Sequence, residues 1–257
     1  MLQIEVRSGF LNLRKNVLDK ISLQPRDSFP EPKVFISNEV SSKITSFFNT
    51  GKTSIQQDQY NPLTRLDILR RTSSGLTKER ASIEVRDMHY SQYGKICAVR
   101  TPEGPNIGLV TFLAIYARIN EYGFIETPYY LLEKDGDKVR VTDEIVYLAA
   151  YDEDNHYIVG HGVEIDSKGY IVEKQVPLRK KGEFILGDRS QADYIDVDSA
   201  QVLGISAGLI PFVQSDDIAR ALVASSQMSQ AVPLIRPENP IVATGIESEI
   251  ARNTGWV

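Results

Sequence analysis

The run Arg100-Thr101-Pro102-Glu103-Gly104-Pro105-Asn106-Ile107-Gly108-Leu109 limits the fold more than any other stretch of the chain. Two prolines and two glycines this close together exclude the middle of a helix or strand. Proline removes a backbone donor and fixes φ, while glycine serves where φ is positive or backbones approach closely. The run is therefore a shaped loop. A β-like stretch precedes it (Ile96, Ala98, Val99). After it, Leu109, Phe112, Leu113, Tyr116 and Ile119 recur at the three- and four-residue spacing that predicts one face of a helix. A rigid loop feeding a helix, with Arg100 and Glu103 on it, is a place to hold a ligand.

At 257 residues the chain is long enough for one large domain or two ordinary ones. No apolar run approaches the roughly 20 residues that span a bilayer, and residues 1–20 lack the basic start and apolar centre of a signal peptide. With a single cysteine, Cys97, the chain has no internal disulfide framework or cysteine-rich zinc site. These features point to a cytoplasmic protein without a membrane role. The net charge of -5 argues against indiscriminate coating of nucleic acid. It conceals a gradient, however: between residues 60 and 100, Arg65, Arg70, Arg71, Lys78, Arg80, Arg86, Lys95 and Arg100 outnumber Asp67, Glu79, Glu84 and Asp87, and over 133–198 the balance reverses. A basic centre beside an acidic flank suits a region that meets an anion.

Taken in order, residues 1–24 alternate at Leu2, Ile4 and Val6 and then carry Leu11, Val17, Leu18 and Ile21, predicting a short strand and then a helix. The prolines of 25–32 mark a connector. Ser37 or Asn38 can cap a helix with Val40, Ile44, Phe47 and Phe48 on its buried face, closed by Gly51. Asn61-Pro62 starts a helix that Ser73-Ser74-Gly75 stops, and Arg70, Arg71, Lys78 and Arg80 form a basic fork. A solvated loop and phosphate contact are both open readings of that fork, the second because arginine presents a fixed set of donors. Asp135-Gly136 signals a β-hairpin, and several short strands with polar turns make an all-β module over about 131–197. His156 and His161 have no third ligand at a metal-site spacing. Beyond an apolar, glycine-broken stretch at 205–213, Ser215 is placed to cap a helix with Asp216 and Asp217 in its first turn.

Two blocks are more specific than generic patterning. The first is RTPEGPNIGL, followed by INEYGFIETPY and preceded by NPL…RR…GLTKER…VRDMH…YG. The second is GLIPFVQSDDIARAL followed by QAVPLIRPENPIVATGIE. Both resemble the β subunit of bacterial multisubunit DNA-directed RNA polymerase, in the same order and at about the same separation. The resemblance implies an α+β, multi-module section. Residues 1–59 would end the preceding, protrusion-like region, 60–130 would be the fork region, and 131–197 an inserted external all-β module. Residues 198–257 would return to the active-centre wall and begin the hybrid-binding domain.

By the same resemblance, Arg220 contacts the phosphates of the incoming nucleotide, Asp217 supports that wall, Gln230 lies beside the RNA 3′ end and Glu103 helps shape the nucleotide site. Arg70, Arg71, Lys78 and Arg80 would meet nucleic acid. A rifamycin-binding surface would include Asp58, Ile68, Arg71, Ser73, Pro102 and Asn106. Ile68 stands where the family has a histidine, Ser229 where it usually has an arginine, and the loop between Ser74 and Gly75 is short. Weak rifamycin inhibition is therefore expected.

The resemblance assigns no catalytic residue, metal ligand or cofactor to this chain. The aspartates that hold the catalytic Mg2+ belong to the partner β′ subunit. The implied partners are β′, the remainder of β, the α subunits, a σ factor, template DNA, nascent RNA and nucleoside triphosphates, and the chain alone is expected to be an inactive section of a nucleotidyltransferase. The alternative is a free-standing module that binds nucleic acid or nucleotide phosphates without catalysis. In the first case the apolar runs 109–119 and 205–213 should be bare in this chain alone; in the second they should be covered.

Overall fold

In a computed structural model, the described residues are 1–23, 38–51, 54, 60–136 and 138–254. They fall into two units, Met1–Gln57 and Asp58–Val257. The first unit is built on two helices, α1 (Leu2–Ser22) and α2 (Glu39–Thr50). The alternation at Leu2, Ile4 and Val6 makes no strand. Leu2 and Val6 are also one helical turn apart, and α1 takes them in without a break. Gly9 lets the two helices meet, since a Cβ there would lie 3.0 Å from Val40 Cα. Asn16 Nδ2 donates to Glu39 Oε1 across the same contact at 2.7 Å. Helix α2 occupies the expected span, and of its apolar stripe Val40, Ile44 and Phe47 are half-buried while Phe48 is exposed, so the face is only partly covered. The proline connector 25–32, the cap candidate Ser37 and Asp58 lie outside the described residues.

In the second unit, α3 (Pro62–Leu69) starts as the sequence predicts. Asn61 Oδ1 accepts the Thr64 N–H at 2.9 Å and the Asn61 N–H donates to Thr64 Oγ1 at 3.3 Å, satisfying amides left open at a helix start. The chain then turns directly into β1 (Arg71–Ser73), which pairs antiparallel with β2 (Val110–Phe112). Strand β2 stands where the spacing predicted a helix. Leu109, Val110, Phe112, Leu113 and Ala114 are all buried, so this run is covered on both sides and has no single helical face. The β-branched Val110 and Thr111 suit the pairing with β1. Ile96 bridges Leu113, while Ala98 and Val99 lie outside any strand.

Seven strands follow: β3 (Arg118–Ile119), β4 (Ile125–Asp135), β5 (Lys138–Ala149), β6 (Ile158–Val159), β7 (Gln175–Lys180), β8 (Glu183–Asp188) and β9 (Tyr194–Asp196), with the one-turn helix α4 (Ala150–Glu153) after β5. They form one sheet in the order β3-β4-β9-β6-β7-β8, with β5 also on β4. The β6–β9 pairing is parallel and the others are antiparallel. The sheet therefore takes in Arg118 and the start of β4 as well as the strands read in the sequence after residue 131. The β4–β5 hairpin closes with Asp135 opposite Lys138 and Gly136 at φ 61°, a left-handed conformation that glycine adopts without strain. Leu132, Val139, Val159, Val163, Ile171, Val176, Leu178, Ala192 and Ile195 make its core.

A buried polar network ties the segment before the loop to this sheet. Arg179 on β7 donates to both oxygens of Asp196 on β9 (3.0 and 3.3 Å) and to Tyr129 Oη (3.3 Å), and its guanidinium lies 3.5 Å from the centre of the Tyr93 ring. Tyr93 Oη donates to Asp196 at 2.7 Å, and Lys95 Nζ and Tyr129 Oη both donate to Glu153 Oε1. Burial works against the Arg179 charge, yet the Asp196 carboxylate outweighs it and holds the guanidinium above its ordinary range. At the other pair, burial pushes the Glu153 carboxyl up and the Lys95 ammonium down, against their mutual attraction.

The chain then returns through α5 (Ile205–Gly208), every residue of which is buried, to α6 (Ile218–Gln230). Helix α6 starts later than expected. Val213–Ser215 forms a 3-10 turn, so Asp216 and Asp217 precede the helix, and Asp217 at its N-cap makes no side-chain capping bond. Residues 231–242 have no regular structure and are exposed throughout, and α7 (Glu247–Thr254) ends the described chain. The architecture is α+β, as expected.

Candidate functional site

The loop of residues 100–109 is held by its neighbours. Arg86 donates to the carbonyls of Pro105 (2.7 Å) and Ile107 (2.8 Å). Thr101 Oγ1 donates to Val110 O at 2.8 Å and accepts the Gly108 N–H at 3.0 Å. Gly108 has φ 72°, and a Cβ there would fall 2.6 Å from Arg86 O, so only glycine fits without a shift. Cys97 is buried, and its Sγ accepts the Arg100 N–H at 3.1 Å, which makes it part of the loop's anchor.

The loop forms one wall of a cleft of about 540 Å3. Pro102, Glu103 and Asn106 line it from the loop, Thr64, Asp67, Ile68 and Arg71 from α3 and the start of β1, Phe112 from β2, and Val223, Ser226, Gln227, Ser229 and Gln230 from α6. Residues far apart in sequence thus face one space, including Ile68, Arg71, Pro102, Glu103, Asn106 and Gln230 among the sequence candidates. Ser73 lies on β1 opposite Val110 and does not line the cleft. Arg220 and Asp217 are exposed at the start of α6, at the opposite end of that helix from Gln230, and do not line it either. Asp58 lies outside the described residues.

At the cleft floor Arg100 is 8% exposed. It donates to Asp67 Oδ2 at 2.9 Å, to Ser229 Oγ at 3.1 Å and to Ser226 Oγ, and it lies 4.7 Å from the centre of the Phe112 ring. Asp67 also accepts from Ser206 Oγ on α5 at 2.7 Å. Sequence reasoning placed Arg100 on the loop but missed Asp67, because a pair that spans 33 residues leaves no local pattern.

The basic fork does not stay together. Arg70 turns inward and donates to the carbonyls of Ala114, Ile115 and Ala117, the last at 2.9 Å, and burial lowers its pKa. Arg71, Lys78 and Arg80 remain exposed. His156 lies beside Asp193 at 3.4 Å. Among the described residues no group of three or more His, Cys, Asp or Glu side chains is placed to hold a metal ion, and no helix is long and apolar enough to cross a membrane.

Comparison with known proteins agrees with the two sequence blocks. The sequence model of RNA polymerase Rpb2, domain 3, matches residues 55–119, and that of the RNA polymerase beta subunit external 1 domain matches residues 133–198. The chain is 42% identical over 260 residues to the DNA-directed RNA polymerase subunit beta of Clostridium novyi (strain NT), covering 99% of this chain and 21% of that protein. It is 42% identical over 261 residues to the corresponding subunit of Acetivibrio thermocellus, covering 100% of this chain and 21% of that protein. For Geobacter sp. (strain M21) the identity is 41% over 259 residues, covering 99% and 19%. The chain spans about a fifth of the length of the curated relatives it matches. It belongs to the family of bacterial DNA-directed RNA polymerase β subunits.

Proposed function

We propose that this chain serves as the fork and one wall of the active centre of a DNA-directed RNA polymerase, positioning the incoming nucleoside triphosphate, template DNA and RNA 3′ end. Its partners are β′, the rest of β, the α subunits and a σ factor. The observation that carries this reading is the cleft, where Glu103 and Arg71 meet Gln230 from a segment more than a hundred residues later in the chain. Phosphoryl transfer is accelerated by positioning and by neutralising developing charge, so a wall that offers Arg71 and the amides of Asn106, Gln227 and Gln230 suits the role. On this reading Arg220 meets the triphosphate, Asp217 supports it, and Arg71, Lys78 and Arg80 face nucleic acid. Arg70, whose donors serve three carbonyls, would support that surface from within. Mg2+ would neutralise phosphate charge and would be held by β′; among the described residues no carboxylates of this chain cluster to bind it.

The second reading, a binding module without catalysis, has one observation in its favour. The runs 109–119 and 205–213 are largely covered within this chain, with Leu113, Ala114, Ile205, Ala207 and Ile210 buried. Against it stand Leu234, Ile235 and Ile241, which are bare in residues 231–242, as a segment awaiting the rest of an assembly would be. The test is Arg220→Ala in the assembled polymerase. The apparent nucleotide KM should rise by about tenfold, the effect of losing one charged phosphate contact. An unchanged KM and rate would refute the assignment.

A further inference from the structure

Arg100 touches every wall of the cleft. Its own backbone begins the loop, its guanidinium pairs with Asp67 on α3, and it reaches Ser226 and Ser229 on α6 while lying against Phe112 of β2. Asp67 passes the tie on to Ser206 of the buried α5. Helix α3 and the loop are otherwise joined through β1 and β2, and α6 reaches α3 through Asn61 Nδ2, which donates to Met228 O and Ala231 O, and through Thr64, which donates to Ser229 O. Both of those latter links act at the N-terminal end of α3. At the loop side of the cleft, among the described residues, the hydrogen bonds between loop and α6 come from the Arg100 side chain.

We propose that Arg100 is a positioning residue. Its pairing with Asp67 and its bonds to Ser226 and Ser229 hold the loop and α6 at one separation, and so fix Glu103 and Gln230 relative to each other. A planar guanidinium can serve three acceptors in set directions at once, which a lysine ammonium on a flexible stem cannot do with the same geometry. Truncation would leave Asp67 buried without its cation and free the loop and α6 to move independently. For activity the inference rests on the polymerase reading; for the coupling of the two walls it does not.

The experiment uses the polymerase assembled with its full-length β subunit, carrying Arg100→Met, Arg100→Lys or Asp67→Asn. Hydrogen exchange would be measured at the amides of the loop and of the last turns of α6, with the nucleotide KM and kcat of single-nucleotide addition measured in parallel. Arg100→Met should speed exchange by about tenfold in the loop and in α6 together, leaving the sheet core unchanged. It should raise KM by about three- to tenfold with a smaller change in kcat. Arg100→Lys should recover part of both effects by keeping the ion pair. Should Arg100→Met not assemble, Asp67→Asn, which keeps its volume and leaves Arg100 its serine partners, should shift the same amides to a smaller degree. Unchanged exchange in either wall, or a loop that loosens while α6 does not, overturns the proposal. Coupled exchange with an unmoved KM overturns its functional half if Arg220→Ala raises KM. If Arg220→Ala has no effect either, it is the polymerase reading of the site that fails and the clamp that stands.

Discussion

Arg179→Met tests the central claim about how the sheet holds the segment before the loop. Arg179 is 8% and Asp196 2% exposed. The change removes two charge-assisted bonds to Asp196, one bond to Tyr129 and the stack on Tyr93. It leaves the Asp196 carboxylate buried with the Tyr93 hydroxyl still donating to it. Breaking one side of a buried pair costs about 3–5 kcal/mol, against a total of about 5–15 kcal/mol for a typical domain. If the cost comes from the stranded charge, Asp196→Asn should return part of it, since the amide keeps the shape and loses the charge. The double variant should then be more stable than Arg179→Met alone by about 1–3 kcal/mol. The assay is urea unfolding of the four proteins of the cycle at pH 7, followed by circular dichroism with slopes compared to check two-state behaviour. A loss under about 1 kcal/mol for Arg179→Met, or a double variant less stable than the single, would refute the reasoning.

Alkaline pH should loosen the same region. Burial, with the Asp196 charge next, pushes the Tyr93 phenol up to about 12 from an ordinary value of 10.0. A raised folded-state pKa gives stability that is full below pH 10 and lost as pH climbs toward 12, so the unfolding midpoint should fall across that window and fall less steeply in Tyr93→Phe. Tyr116, also raised to about 12, keeps some slope in that variant. On the proposed function, rifamycin should inhibit the assembled polymerase weakly, since Ile68 on the cleft wall offers no hydrogen bond where the resemblance implies a histidine. Inhibition in a transcription assay at concentrations typical of sensitive bacterial polymerases would contradict this.

Local chemistry was legible where it decides the structure alone. Asn61-Pro62 with Thr64 carries its own cap, and Asp135-Gly136 marks the turn of a real hairpin, although its first strand starts at Ile125, before the stretch read as strand. Residues 109–119 were not legible, because Leu109, Val110, Phe112 and Leu113 are buried on both sides, and then apolar spacing cannot tell strand from helix. Arg70 and Arg71 look alike as neighbours, yet one feeds carbonyls inside the chain and the other faces the cleft, a difference set by where β2 packs. The cleft itself was visible only as a list of candidates from two blocks; what joins them, Arg100 with Asp67, is a tertiary pairing with no periodic trace.

The inward turn of Arg70 also bears on how this chain closes on itself. Its bonds to Ala114, Ile115 and Ala117 span 44, 45 and 47 residues. Loop-closure entropy grows only with the logarithm of the span, and all three bonds issue from one guanidinium, so a single closure event brings all three carbonyls home. Arg70 behaves as a covalently tethered cation around which a distant turn is wrapped, and it satisfies that turn's carbonyls while the N–H groups of Ala114 and Ile115 reach Lys95 O and Leu203 O.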